Sequence, residues 1–410
     1  METTENLTKD GSQSGLLICH LLCLIINLFI TTFLVAHIYS FNGDTYAYLF
    51  NVGLYNMFHY LALLIFYNPI SKIVDRTNRV GVYRFSLLLK ALFVVTIIFF
   101  GKQLASLLLV AGLLSGTANA FYYASYNVIK QEMVRRQNMN TFVTKNYSWS
   151  KVIDIICPIL LGFLIDVSTY SIVAIFVLAI CIIQLLFSLK IKSKRPENSD
   201  FNIKNYFKKL KTHPLAARKA KIIYIISFLY CTVTLTTNII NVCIMLETGS
   251  NFSLGALTSI FAILSIITLI LVKKFTKPGK RLWLFIVCSC LPILAAIYFV
   301  INISAVSIII LNGIISITSI VKIYLLDLYR NGIMKDSNMY SEISEHQSVV
   351  EFCLNISRTL AFGLLMIIAL LKSLLAFKIL ALITIIVGST SYILLHYYEI
   401  KYLHKEKVMK

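Results

Sequence analysis

K-N-Y-S-W-S-K-V-I-D-I-I-C-P-I-L-L-G-F-L (residues 145–164) and S-E-H-Q-S-V-V-E-F-C-L-N-I-S-R-T-L-A-F-G (residues 344–363) share one plan. Each begins polar and charged, then runs into an apolar, small-residue segment. Each sets a polar residue three before a cation at the entry: Ser148 before Lys151, and Asn355 before Arg358. Read as one structural position that occurs twice, they make the chain a two-fold repeat of membrane helices, a known architecture.

Composition supports the membrane reading. Of 410 residues, 58% are hydrophobic and 14% charged, with a mean hydropathy of +0.80. Soluble chains carry about 25% charged residues. The net charge of +20 invites a nucleic-acid partner, but its distribution excludes one. Eleven basic residues and two acidic ones (Glu197, Asp200) lie in residues 190–221. Lys273, Lys274, Lys277, Lys280 and Arg281 form a second cluster. Both fall in short gaps between apolar runs, where the positive-inside rule and contact with anionic lipids place them. All nine cysteines sit in or beside apolar runs and none forms a C-x-x-C pair, so they read as small apolar side chains. The N-terminus lacks the basic region and cleavage site of a signal peptide, so the first apolar run is expected to be retained.

A membrane helix needs about 20 mostly apolar residues. Such runs lie near 16–39, 46–67, 81–100, 104–129, 149–166, 168–189, 222–247, 254–272, 282–301, 303–325, 350–371 and 374–396. The gaps after even-numbered runs hold most of the Lys and Arg, and those after odd-numbered runs are short and nearly free of them. One topology follows, multi-pass with both termini in the cytoplasm. The expected organisation is a tail (1–15), a six-helix half (16–189), a basic linker (190–221), a second six-helix half (222–399) and a basic tail (400–410). Within the linker, Ile203, Tyr206, Phe207 and Leu210 fall on one face among lysines. That pattern predicts a short amphipathic helix on the membrane surface.

The gap after the second run reads S-K-I-V-D-R-T-N-R-V, residues 71–80. This resembles G-x-x-x-D-R-x-G-R-R of the major facilitator superfamily, in the same gap of that family's twelve helices. Asp75, Arg76 and Arg79 match; Ser71, Asn78 and Val80 depart. The resemblance implies that Asp75 serves a cytoplasmic gate, pairing with basic groups and the start of helix 11. A solvated turn charge is the alternative. Cys157-Pro158-Ile159-Leu160-Leu161-Gly162 is similar to the G-P-x-x-G-G core of antiporters in this family, keeping Pro158 and Gly162. The resemblance implies a kink that supports rocking, and ordinary packing explains a proline there equally well. Glu345, Glu351, Asn355 and Arg358 resemble a segment of bacterial members with unassigned substrate. Glu351, Asn355 and Arg358 share a helix face. They form either a second part of the gate, together with Lys151, or a local helix-stabilising network.

Asp154 shares a face with Lys151 and is either a coupling site for protons or half of a structural pair. Lys90 and Lys322 raise the same question, and their stems are long enough for snorkelling to the cytoplasmic edge. The helix-4 arginine and helix-1 acid of proton-driven family members are absent, which argues against protons as the coupling ion. For a central cavity, position in the repeat selects His20, Asn27 and Thr31 on run 1. It also selects Asn119, Tyr122, Tyr123 and Tyr126 on run 4, and Thr234, Asn238 and Asn241 on run 7. Polar stripes also serve as helix–helix glue, and tyrosines as an interfacial belt. The run-by-run scan finds no strong central charge, which suggests a neutral, cationic-amphiphilic or apolar cargo.

The sequence therefore predicts an all-α polytopic membrane protein. It has about 12 transmembrane helices in two pseudo-symmetric halves, and its composition points to a bacterial cell membrane. The resemblance implies a monomeric secondary transporter for a small-molecule substrate, with export of an amphiphile first and nutrient uptake second. A non-transporting immunity or sensor partner is the reading from another class. No enzyme signature is present: no Walker loop, H-E-x-x-H, G-x-S-x-G or Rossmann fingerprint. No cofactor or metal is expected.

Overall fold

The computed structural model describes residues 2–41, 44–133, 139–192, 201–229, 231–275, 281–336 and 342–403. Its elements are helical throughout. Hydrocarbon offers the backbone no hydrogen bonds, so a spanning segment has to satisfy its own N–H and C=O groups, and a helix does so within one segment.

In chain order the helices are α1 (Glu2–Leu28), α2 (Leu34–Tyr39), α3 (Thr45–Arg76), α4 (Arg79–Phe100), α5 (Leu108–Met133), α6 (Met139–Val167), α7 (Tyr170–Ser188) and α8 (Ile203–Thr212). They continue as α9 (Pro214–Leu229), α10 (Cys231–Thr248), α11 (Asn251–Phe275), α12 (Leu282–Ile301), α13 (Ala305–Asp336), α14 (Ile343–Leu371) and α15 (Leu374–Tyr398). A π-helical turn, Phe29–Phe33, joins α1 to α2 into one membrane segment, and another, Glu399–Leu403, closes α15. Among the described residues, eleven segments are long and apolar enough to cross a membrane. Ten of them are Ser12–Tyr39, Thr45–Arg76, Arg79–Phe100, Gln103–Lys130, Tyr170–Ser188, Asn251–Val272, Leu282–Ile301, Ala305–Leu326, Ile343–Leu371 and Leu374–Tyr402. The eleventh, Pro214–Thr248, takes in α9 and α10. The fifth sequence run falls in α6, which carries Lys151 and Asp154. Helix extends back through most of the expected N-terminal tail.

Local chemistry sets the helix ends. Asn78, Thr169 and Ser373 stand in extended backbone before α4, α7 and α15, and each side chain accepts from the first free N–H groups. Gly249 lies just past α10 with φ +59°, a left-handed conformation that suits a residue without Cβ, and its N–H reaches Met245 O at 2.9 Å. Large apolar side chains such as Phe99 and Ile301 point away from the protein, as a lipid-facing surface requires.

The chain divides into two compact units. The first holds Met1–Asp44, Leu54–Phe201 and Ser250–Ser259. There α4 packs against α5 and α7, and α1 packs against α6 and α7. The second holds Thr45–Gly53, Asn202–Gly249 and Ile260–Lys410, with α12 against α13 and α15, and α9 and α10 against α14.

Small residues let helices in the first unit approach closely. A Cβ on Gly116 would stand 2.1 Å from His59 O, and one on Gly112 would stand 2.5 Å from Tyr55 O. This is a small-x-x-x-small crossing of α3 and α5. A Cβ on Gly162 would meet Asn251 O at 2.4 Å, and one on Gly255 would meet Pro158 O at 2.1 Å. The start of α11 thus lies directly on α6.

The linker carries a helix over the expected residues, α8. Asn202 caps α8, as its side chain accepts from Lys204 and Asn205 N–H. Its Tyr206 and Leu210 are buried within the second unit, while Phe207 is exposed. The helix docks on protein because the Tyr206 hydroxyl finds partners there, at Tyr224 Oη (2.6 Å) and His346 Nδ1 (3.0 Å). Burial pushes the Tyr206 phenol up to about 12, with the Tyr224 hydrogen bond opposing it.

Candidate functional site

The first unit gathers its polar side chains around Lys90. This residue stands midway along α4 and is 2% exposed. Its side chain turns inward, which decides between the two alternatives against the cytoplasmic edge. Lys90 Nζ donates to Asn27 Oδ1 at 3.0 Å and approaches Cys23 Sγ at 2.9 Å. It also lies 4.1 Å from the centre of the Tyr122 ring. An ammonium in a membrane interior needs such compensation, and the ring face and amide oxygen supply it.

Around this centre Asn27 Nδ2 donates to Tyr123 Oη at 3.4 Å, and His20 Nδ1 bonds Tyr122 Oη at 2.9 Å. The His20 ring stacks on Tyr126 at 4.4 Å. Helices α1, α4 and α5 each contribute, and the π-helical turn begins two residues after Asn27. Such turns widen a helix locally and recur at functional sites.

Five of the residues that the sequence selected for the cavity therefore meet here: His20, Asn27, Tyr122, Tyr123 and Tyr126. Thr31 is exposed and bonds back to Asn27 O at 2.8 Å. Asn119 belongs to a second cluster, where its Nδ2 lies 3.4 Å from His59 Nε2. There His59 Nδ1 and Tyr55 Oη meet Ser115 Oγ at 3.1 and 3.0 Å. The Gly112-x-x-x-Gly116 spacing in the sequence is the signal that would have located this crossing.

Asp75 is 5% exposed, and its carboxylate lies 3.9 Å from the Arg79 guanidinium one turn on. Arg76 points outward. Asn78, which replaces a family glycine, sits at φ −69° and caps α4, so this position does not demand glycine. Lys151 donates to Asp154 at 2.8 Å in a half-exposed pair. Pro158 lies inside α6 without ending it. At the end of α6, Asp166 Oδ1 accepts from Asn251 N–H (3.1 Å) and Nδ2 (2.7 Å). Its Oδ2 accepts from Ser250 Oγ and Phe252 N–H, both at 2.8 Å. Partial burial works against the ionised carboxyl, but these four hydrogen bonds outweigh it and hold the pKa below the ordinary value. The carboxylate also meets the positive end of α11.

In the second unit Glu345 is 5% exposed and accepts from Asn202 N–H at 3.0 Å, and Glu342 pairs with Lys209 of α8. Asn355 is fully buried, donates to Glu351 O at 2.8 Å and accepts from Arg358 at 3.4 Å, all within α14. A buried ion pair that sequence reading missed joins Arg281 to Glu399 at 2.8 Å, with the Tyr329 hydroxyl donating to the same carboxylate. Its signal was Glu399 itself, an acid on a helix end otherwise apolar or basic.

A small cavity in the second unit is bounded by α10, α12, α13 and α15. Lys322 lines it and is 2% exposed, so it too turns inward. Its Nζ donates to Gly388 O at 2.8 Å and lies 4.6 Å from the Tyr392 ring centre. From α10 the cavity takes Val233 and Thr236. Thr234, Asn238 and Asn241 lie on that helix but do not line it, and Asn238 Nδ2 bonds back to Thr234 O at 3.0 Å. Among the described residues, no three His, Cys, Asp or Glu side chains gather as a metal site would require.

The model of the Major Facilitator Superfamily matches residues 16–332. No curated protein matches the chain. Among solved structures it is similar to a POT family transporter in complex with 5-aminolevulinic acid. That match has a TM-score of 0.67 and 12% identity, over 95% of this chain and 96% of that one. It is also similar to a bacterial homologue of the iron transporter ferroportin in an inward-facing state, with a TM-score of 0.67, 14% identity and 94% and 98% coverage. A bacterial homologue of the human lysosomal transporter Spinster gives a TM-score of 0.64 at 13% identity, over 97% and 98%. At these identities the likeness concerns the fold.

Proposed function

This chain belongs to the Major Facilitator Superfamily, a family of membrane transporters, and from that premise we propose that it exports a small amphiphilic molecule by alternating access. The observation that carries the reading is the Lys90 centre. A buried ammonium midway along a membrane helix is costly, and such groups mark transport pathways. Its tyrosine faces suit the apolar body of a cargo, and its amide and hydroxyl groups suit a polar end. Export is the direction taken from the resemblance of the Pro158–Gly162 segment to the antiporter core. Asp75 serves the cytoplasmic gate, and Glu345 and Arg358 stand on α14, the sequence counterpart of the α6 segment that carries Lys151.

The test is flux in sealed inverted vesicles carrying the protein or its Asp75→Asn variant. A panel of labelled amphiphiles is followed together with lumenal pH. Cargo accumulation that Asp75→Asn slows supports export with this gate, and accompanying proton release identifies the coupling ion. Folded protein that moves no member of the panel overturns the reading in favour of a non-transporting membrane partner.

A further inference from the structure

The linker helix α8 carries four lysines and no acidic residue. Lys209 reaches the Glu342 carboxylate at the start of α14. The side chains of Lys204, Lys208 and Lys211 are exposed and make no hydrogen bond or ion pair among the described residues. With Phe207, itself 40% exposed, these three follow the spacing i, i+3, i+4, i+7, so the four side chains share one side of the helix. Like charges at such spacings repel one another.

The helix is not free to roll and bring a counter-charge to them. Tyr206 and Leu210 are buried within the second unit. Asn202 N–H donates to Glu345 at 3.0 Å, the Tyr206 hydroxyl meets Tyr224 and His346, and Lys209 holds Glu342. Both carboxylates that α8 meets are buried and engaged in this way. The position of α8 in the chain indicates what lies on its other side. It ends at Thr212, and the segment Pro214–Thr248, long and apolar enough to cross a membrane, begins two residues later. Leu215, the second residue of that segment, is 52% exposed. A helix that runs into a membrane segment has the headgroup layer beside it. An exposed aromatic ring among lysines is the composition that layer favours, with the ring at headgroup level and the ammonium groups against phosphates.

We propose that the side of α8 formed by Lys204, Phe207, Lys208 and Lys211 binds the phosphate groups of anionic phospholipids in the adjoining leaflet, with the Phe207 ring between headgroups. The apolar face, expected from the sequence to lie on the membrane, is covered by protein, so lipid contact passes to the charged side. Such binding is independent of whether the chain transports anything.

Phe207→Trp, in a chain whose exposed Trp149 and Trp283 are replaced by phenylalanine, sets a single tryptophan in this patch. The full chain is placed in nanodiscs of equimolar phosphatidylcholine and phosphatidylglycerol, with bromine high on the acyl chains of one lipid or the other, and tryptophan fluorescence is read. Each lysine near an anionic surface contributes roughly fivefold in affinity. Brominated phosphatidylglycerol is therefore expected to quench at least about twice as strongly as brominated phosphatidylcholine. Raising the salt to about 1 M, where charges act over only about 3 Å, is expected to bring the ratio close to one. The combined Lys204→Gln, Lys208→Gln, Lys211→Gln variant is expected to do the same. Lys208→Gln alone is expected to give an intermediate ratio and keeps the test decisive if the combined variant fails to fold. Equal quenching by the two lipids with all three lysines present would overturn the headgroup preference. Quenching by neither lipid would put this side of α8 in water and overturn the membrane contact in favour of a soluble acidic partner. A ratio that survives in folded glutamine variants or at high salt would remove the lysines from the site.

Discussion

Replacing Lys90 with methionine separates folding from transport. A charge at the centre of a membrane helix costs about 2.5–3.5 kcal/mol on insertion scales, and methionine removes that cost. The variant loses the charge-assisted bond to Asn27 Oδ1 at 3.0 Å, worth about 1.5–3 kcal/mol. It also loses the contact over Tyr122 at 4.1 Å, worth about 0.5–2 kcal/mol. The two sides agree to within about 2 kcal/mol, so Lys90→Met should express normally and melt within a few degrees of wild type. Transport should behave differently. A contact made by the ammonium to a cargo, at the strength of a charged hydrogen bond, corresponds to about tenfold to a hundredfold in flux. The assay pairs thermal unfolding of the purified protein with flux in proteoliposomes. A stable variant that transports at the wild-type rate would refute the functional role of the centre. A variant that no longer folds would refute the energy balance, because the ammonium would then be holding the helices together.

Three further perturbations follow from the geometry. Gly116→Val places carbon where His59 O already lies, at 2.1 Å for Cβ alone. It should destabilise the first unit by about 1–3 kcal/mol, seen as a lower melting temperature; an unchanged one would contradict the crossing. Asp166→Ala removes the cap of α11 and should cost about 0.5–2 kcal/mol at neutral pH. Because the folded-state pKa is depressed below the ordinary carboxyl value of 3.8, this contribution is present above that pH. It is lost as pH falls through the folded-state value, so wild type and variant should converge in strong acid and differ at pH 5–7. Glu399→Gln leaves the buried Arg281 facing a neutral partner and should cost about 3–5 kcal/mol. A paired Arg281→Met, Glu399→Leu variant should recover much of it, and unfolding measurements on both decide the matter.

What the sequence made legible follows from how the bilayer acts on a chain. Long apolar runs and the alternation of basic gaps located the helices, because length and charge along one dimension determine what crosses. The local contact of Asp75 with Arg79 follows from their i, i+4 spacing, which a sequence displays directly. Side-chain direction was not readable. Lys90 could run to the edge or turn inward, and only Asn27 and Tyr122, on two other helices, decide it. Asn119 shares a helix with Tyr122 but joins His59 instead, because the glycine crossing brings α3 against that stripe. The linker helix showed an amphipathic face without showing what covers it, and the Tyr206 hydroxyl answered in favour of protein. The Arg281–Glu399 pair joins residues 118 positions apart, which no local pattern reveals.

The most direct test of outward transport through the Lys90 centre is uptake of labelled amphiphiles into sealed inverted vesicles under an imposed gradient, with wild type and Lys90→Met compared at equal folded protein. The expected result is accumulation of at least one amphiphile by wild type and its loss in the variant. Accumulation only in right-side-out vesicles would reverse the direction, and equal accumulation by both proteins would contradict the role of the buried ammonium.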